Sequence, residues 1–121
     1  MYVDGFLLPL PKNRINEYLR QARKAGKIWQ KHGALEYRES IGDDLGPHKG
    51  MGMGFPRASR AKRGETVVFS WILYRNRTHR DRVNRKVMAD PAMKIMMEQA
   101  KDMPFDVKRM AYAGFDVRVA L

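Results

Sequence analysis

The sequence predicts an α+β fold with the element order β-α-β-β-α-β, the ferredoxin-like arrangement of an antiparallel sheet with both helices on one face. Three observations predict it. Similar strand-like segments, Tyr2-Val3-Asp4-Gly5-Phe6 and Tyr112-Ala113-Gly114-Phe115, stand at opposite ends of the chain and read as neighbours in one sheet. An amphipathic helix follows the first. A mid-chain segment, Glu65 to Tyr74, is apolar on both parities, as a strand inside a sheet should be. At 121 residues the chain is one domain, residues 1–121, large enough for a single core.

Residues 1 to 10 read as the first strand, with Tyr2, Val3, Phe6, Leu7 and Leu8 as its β-prone content and Pro9 and Pro11 closing it. The helix is carried by Ile15, Tyr18, Leu19, Ala22, Ala25 and Trp29, which form one apolar stripe. Asn13 is the expected N-cap and Gly33 the expected C′ residue. Residues 34 to 41 alternate: Leu35, Tyr37 and Ile41 face a core, and Glu36, Arg38 and Ser40 face away. Residues 42 to 64 are punctuated by Gly and Pro, with a helical turn expected around Arg57 to Lys62. After the central strand, Thr78 is expected to cap a helix with Asp81 as its partner. That helix carries Val83, Val87 and Met88. Asp90-Pro91 restarts it, with Met93, Met96, Met97 and Ala100 on the inner side. Pro104 ends the helical region, and a last strand is expected from Lys108 to Val119.

One face of such a sheet is covered by its own helices. The central strand is apolar on its other face too, so a partner should cover that face, and a sheet-to-sheet homodimer is expected.

Composition narrows the function classes. With no cysteine, disulfides, thiolate chemistry and cysteine metal sites are excluded. No apolar run is long enough to span a bilayer, and Phe6-Leu7-Leu8-Pro9-Leu10 is too short for a signal-peptide core, so no membrane association and a cytoplasmic location are expected. Lys plus Arg is 24 against 13 Asp plus Glu, a net charge of +11 that invites polyanions but also suits a solvated basic surface.

The chemistry-bearing residues are scattered. Gly50-Met51-Gly52-Met53-Gly54-Phe55 lacks the Lys-Ser/Thr ending of a phosphate loop and reads as a hinge or lid. His32, His48 and His79 have no paired spacing, and Asp43-Asp44 reads as a turn pair; no metal site and no cofactor are expected. Asp4 is an acid inside an apolar strand, where an unpaired charge is costly. Its expected partner is Lys108 or Arg109 on the adjacent last strand; the alternative is a pocket acid serving as general base. Asp106 either caps the turn before that strand or joins the pocket. Glu36 and Arg38 place polar groups on a strand, with Arg38 or Arg109 as anion anchors. Trp71 and Tyr112 are apolar walls or core.

The chain also resembles the YbaA-like family of uncharacterised bacterial proteins, of the dimeric α/β-barrel superfamily. The resemblance is carried by Tyr2-Val3-Asp4-Gly5-Phe6, Gly33-Ala34-Leu35, Val67-Val68-Phe69-Ser70-Trp71, Asp90-Pro91-Ala92-Met93-Lys94, Met103-Pro104-Phe105-Asp106, Lys108-Arg109-Met110 and Tyr112-Ala113-Gly114-Phe115. It implies two ferredoxin-like subunits whose sheets pack into a shared barrel. Relatives in that superfamily include cofactor-independent monooxygenases, isomerases, haem enzymes and binding proteins, so fold alone transfers no reaction.

Three functions follow as expectations. The first is a small-molecule site in the dimeric barrel, for binding or cofactor-independent catalysis, drawn from Asp4, Glu36, Arg38, Trp71, Asp106, Arg109 and Tyr112. The second is weak polyanion binding through the basic surface. Specific nucleic-acid readout is disfavoured because Glu65, Val67 and Ser70 stand where an RNA-recognition strand needs aromatics. The third is a structural or regulatory dimer without a ligand.

Overall fold

Four antiparallel strands, β1 (Tyr2–Pro11), β2 (Glu36–Ile41), β3 (Glu65–Tyr74) and β4 (Ala111–Asp116), form one sheet in the order β2-β3-β1-β4 in the computed structural model. The structure describes residues 1–99 and 102–121. Helix α1 (Ile15–Lys31) connects β1 to β2, and helices α3 (Arg77–Ala89) and α4 (Pro91–Gln99) together connect β3 to β4. This is the ferredoxin-like order expected from the sequence, with the two chain-terminal strands paired and β3 inside the sheet. A four-residue helix, α2 (Phe55–Ala58), lies within the 42–64 connection.

Register sorts the side chains. Tyr2, Asp4, Phe6, Leu8 and Leu10 share the inner face with Val68, Ser70, Ile72 and Tyr74 of β3 and with Tyr37, Glu39 and Ile41 of β2. Two buried clusters form there. One joins Leu8, Leu10 and Val68 to Tyr18 and Ala22 of α1. The other joins Ile72 and Tyr74 to Ile28, Val83, Val87 and Met93. Each fully buried aliphatic side chain contributes about 1.5–3 kcal/mol.

The strand prolines have a positional explanation. Lys12 N–H donates to Gly64 O, while Met1 O accepts from Val117 N–H. Even residues of β1 therefore bond towards β3, and odd ones towards β4. β4 stops at Ala111, opposite Leu7, so the donors that Pro9 and Pro11 lack would have pointed where no strand lies. The strand consequently runs on through Pro9 and closes at Pro11.

Helix ends agree with expectation in part. At the end of α1, Gly33 has φ 109°, Gly33 N–H donates to Gln30 O, and Ala34 N–H donates to Trp29 O, which is a Schellman closure. Asn13 does not cap α1. It lies in a 3-10 turn (Lys12–Arg14) that precedes the helix. The α3 cap is Asn76 rather than Thr78; its side chain accepts from His79 N–H at 2.7 Å. Asp90 caps α4 as expected, accepting from Ala92 N–H at 2.8 Å. It also accepts from Lys31 Nζ and pairs with His32 Nε2, and these partners, His32 first, hold its pKa down at about 2. Val83, Val87 and Met93 are buried as expected, whereas Met88 and Met97 are largely exposed; Ala100 lies outside the described residues. The turn expected at Arg57–Lys62 is displaced to α2, and β4 is shorter than expected because a 3-10 turn occupies Val107–Arg109.

Helix α1 approaches β2 most closely at Gly26. A Cβ there would stand 2.8 Å from the Tyr37 ring. Gly26→Ala should therefore destabilise the protein by about 1–2 kcal/mol through overpacking, although Ala in an unobstructed helix gains about 1 kcal/mol over Gly. Urea denaturation of the two proteins measures the difference.

Candidate functional site

A cavity of about 600 Å³ lies between the inner face of the sheet and the helices. Its sheet side is laid down by alternation: Asp4, Phe6 and Leu8 from β1, Ser70 and Ile72 from β3, Tyr37 and Glu39 from β2. Tyr18, Ala22, Ala25 and Trp29, one stripe of α1, form a wall. Arg80 and Asn84 of α3 stand over the Asp4 end. The remaining wall is soft: Met88, Met93, Met96, Met97, Met103 and Met110, with Phe105. Unbranched thioethers adapt to irregular contents.

Glu39 is the central polar group. It lies on the same side of β2 as Tyr37 and Ile41, an acid on the apolar parity of its strand. Tyr18 Oη donates to one carboxylate oxygen at 2.7 Å and Tyr37 Oη to the other at 2.9 Å. Ser70 is its register partner on β3. Burial raises the carboxyl above its ordinary range, and this outweighs the downward pull of bonds from Tyr18 and Tyr37. Burial, reinforced by Glu39, likewise raises the pKa of both phenols, so they remain donors. Their rings are set by packing: Tyr18 meets Phe105 edge-on at 5.6 Å, and Tyr37 lies 6.1 Å from Trp29.

Asp4 stands at the other end of the sheet-side wall. Glu39 faces Ser70 and Ser70 faces Phe6, whereas Asp4 is two residues along β1. Ordinary sheet spacings then put the two acids about 12 Å apart at Cα. They are not a shared-proton dyad. Arg80 Nη1 donates to Asp4 at 2.8 Å, Nη2 to Tyr2 Oη at 3.3 Å and Nε to Asp81 at 2.8 Å. Asn84 lines the same end of the cavity, and its Oδ1 accepts from Trp29 Nε1 and Tyr74 Oη. Burial still raises the Asp4 pKa despite the nearby Arg80 charge.

The structure brings together only part of the set expected from sequence. Asp4 and Tyr112 line the cavity, and Tyr112 stacks on Phe6 at 6.2 Å. Arg38 contributes to the lining, but its guanidinium lies 5.8 Å from the Trp71 ring centre and 3.8 Å from Glu36. Arg38, Glu36 and Trp71 thus group on the outer face, because their parity is opposite to that of Tyr37 and Ile72. Asp106 caps the turn before β4, accepting from Lys108 N–H at 3.0 Å. The expected pairing of Asp4 with Lys108 or Arg109 does not occur. Arg109 precedes β4 and grips both oxygens of Glu65 at 2.8 Å, and this holds the Glu65 pKa down at about 2. Register explains the difference, since Asp4 lies opposite Gly114, well along β4 from Arg109.

Sequence reasoning missed Glu39, Tyr18 as a polar group, Arg80 and Asn84. Glu39 carried a legible signal, an acid between Tyr37 and Ile41 at period two. Arg80 and Asn84 carried none, being polar residues in a basic helix. Two of the three histidines serve structure: His32 pairs with Asp90, and His79 Nδ1 accepts from Arg75 N–H at 3.0 Å. Among the described residues no three His, Asp or Glu side chains gather as a metal site, and no helix is long and apolar enough to cross a membrane.

The geometry has counterparts elsewhere. An uncharacterised NIPSNAP domain protein from Burkholderia xenovorans superposes with a TM-score of 0.57 at 14% identity, over 97% of this chain and 94% of that one. A NIPSNAP family protein of unknown function from Agrobacterium tumefaciens does so with a TM-score of 0.56 at 17% identity, over 95% and 86%. At such identities the likeness is one of fold. In sequence, the uncharacterised protein YbaA of Escherichia coli K12 is 41% identical over 115 residues, covering 95% of this chain and 94% of its own, and that of Shigella flexneri matches equally. The family described as "Protein of unknown function (DUF1428)" matches residues 1–107, and the chain belongs to that family.

Proposed function

We propose that the protein binds a small, largely apolar organic molecule in the cavity between sheet and helices, with Glu39 as the ionisable group that meets it. The observation that carries this reading is a half-buried carboxyl, fixed by two phenols, facing a methionine- and aromatic-lined space of about 600 Å³. An apolar pocket with a few convergent polar groups is the usual form of a ligand site. A carboxyl whose pKa is raised is also better suited to exchanging a proton with its ligand than an ordinary one. The Asp4–Arg80 pair closes the opposite end and orients whatever the cavity holds.

A second copy of the chain covers the outer face in this reading. Val3, Leu7, Phe69, Trp71, Leu73 and Phe115 share that face by register. Phe69 is 44% exposed and Phe115 56%, with only Phe55 of α2 leaning on Phe69 at 5.9 Å. A sheet apolar on both faces is usually covered on both.

Three outcomes are expected. Glu39 sits above its ordinary pKa, near 4.5, when the protein is folded, so wild-type stability should fall as pH rises from that value through the raised pKa. Glu39→Gln should remove that part of the fall and melt a few degrees higher than wild type at about pH 8, with the difference shrinking at about pH 4. Melting curves across pH read this, and parallel curves for the two proteins would contradict the assignment. Neutral apolar probes should quench or shift Trp29 emission in wild type and lose at least tenfold in affinity when Ala25→Trp fills the cavity. Sedimentation at micromolar concentration should give a dimer that Phe115→Lys dissociates; a wild-type monomer removes the second-copy reading.

A further inference from the structure

Glu39 is surrounded by everything a carboxylate requires except a positive charge. Both its oxygens accept phenolic protons, from Tyr18 and Tyr37, and Ser70 stands opposite on β3. That arrangement presents donors to the anion, whereas a protonated carboxyl needs one of these hydroxyls to turn round and accept. Burial works in the opposite direction and raises the pKa. The missing complement is a cation. The buried acids of the chain have one: Asp4 has Arg80, and Asp90 has Lys31 and His32. Among the described residues, no Lys, Arg or His nitrogen lies within 4.0 Å of the Glu39 carboxylate. Lys24 borders the cavity, and Arg23 and Lys27 border a groove on the far side of Tyr37 and Glu39, yet none closes on it.

The surroundings of that carboxylate are electron-rich. The rings of Tyr18, Tyr37, Trp29 and Phe105 line or adjoin the same end of the cavity, with methionine thioethers beyond. Ring faces attract an ammonium group by their quadrupole, by about 2 kcal/mol or more when desolvated. An acid flanked by aromatic rings discriminates between a cation and a neutral molecule of the same shape.

Building on the cavity-binding reading above, we propose that the ligand is a hydrophobic organic cation, an amine or quaternary ammonium on an apolar body, whose positive end pairs with Glu39 among these rings. The overall charge of +11 opposes any cation at long range. Screening at about 0.15 M salt confines that opposition to about 8 Å, so selectivity for a cation reports the local site.

Benzyltrimethylammonium and its uncharged carbon isostere, neopentylbenzene, test the proposal by calorimetric titration of the full chain at about 0.15 M salt. The cation should bind at least tenfold more tightly, and its affinity should rise with pH as Glu39 ionises. Tyr18, Tyr37 and Ser70 face Glu39 from α1, β2 and β3. Burial raises the Asp4 carboxyl as well, beside Arg80 at the far end of the cavity, so the slope belongs to Glu39 if Asp4→Asn keeps it and Glu39→Gln loses it. Glu39→Gln, confirmed folded by its melting curve, should bring the two probes to equal affinity. The pH titration of wild type beside Asp4→Asn tests the same point with Glu39 in place. Equal or tighter binding of neopentylbenzene by wild type overturns the cation while leaving the cavity reading intact. Binding of neither probe overturns both.

Discussion

The ten-residue antiparallel pairing of β1 with β3 is the constraint on which the rest of the molecule depends. It fixes which side chains share the inner face, and so brings Asp4 beside Ile72 and Phe6 beside Ser70. β2 and β4 are added on either side in registers that follow from it. Because side chains alternate strictly, a slip of one residue would exchange the two faces and carry Asp4 out of the cavity. The helices can then only cover what this pairing presents. α1 comes close enough to do so because Gly26 offers no Cβ to the Tyr37 ring.

The two acids of the cavity illustrate opposite solutions to one electrostatic problem. Asp4 is buried and compensated, with a guanidinium at 2.8 Å. Glu39 is half-buried and held by phenolic dipoles, with no cation beside it among the described residues. Dipoles stabilise a charge without neutralising it, so Glu39 can change protonation state without breaking an ion pair. Asp4 is suited to holding geometry, Glu39 to responding to what enters.

Much of the fold was legible because it depends on local patterns. Alternation in β2, the two-sided apolar run of β3, the stripe of α1, Gly33 after its end and Asp90-Pro91 before α4 each act within a few residues of themselves. Caps were less legible, since Asn76 and Thr78 are both competent N-caps and a two-residue difference is decided by the turn after β3. The site was half legible for a different reason. Placing Asp4 inside required only strand parity. Choosing its partner required knowing that β4 begins at Ala111 rather than Lys108, which puts Arg109 beside Glu65. Glu36 and Arg38 drew attention as polar strand residues, yet polar parity is the outward one. The informative acid was Glu39, which broke the apolar parity.

The prolines of β1 have a consequence for the company the sheet can keep. Beyond Leu7, β1 has no neighbour on the β4 side, and an open strand edge is ordinarily a template onto which another extended chain can grow. Pro9 and Pro11 withhold the two amide donors that such a chain would need. The vacant length of β1 is therefore a poor seed for edge-to-edge aggregation.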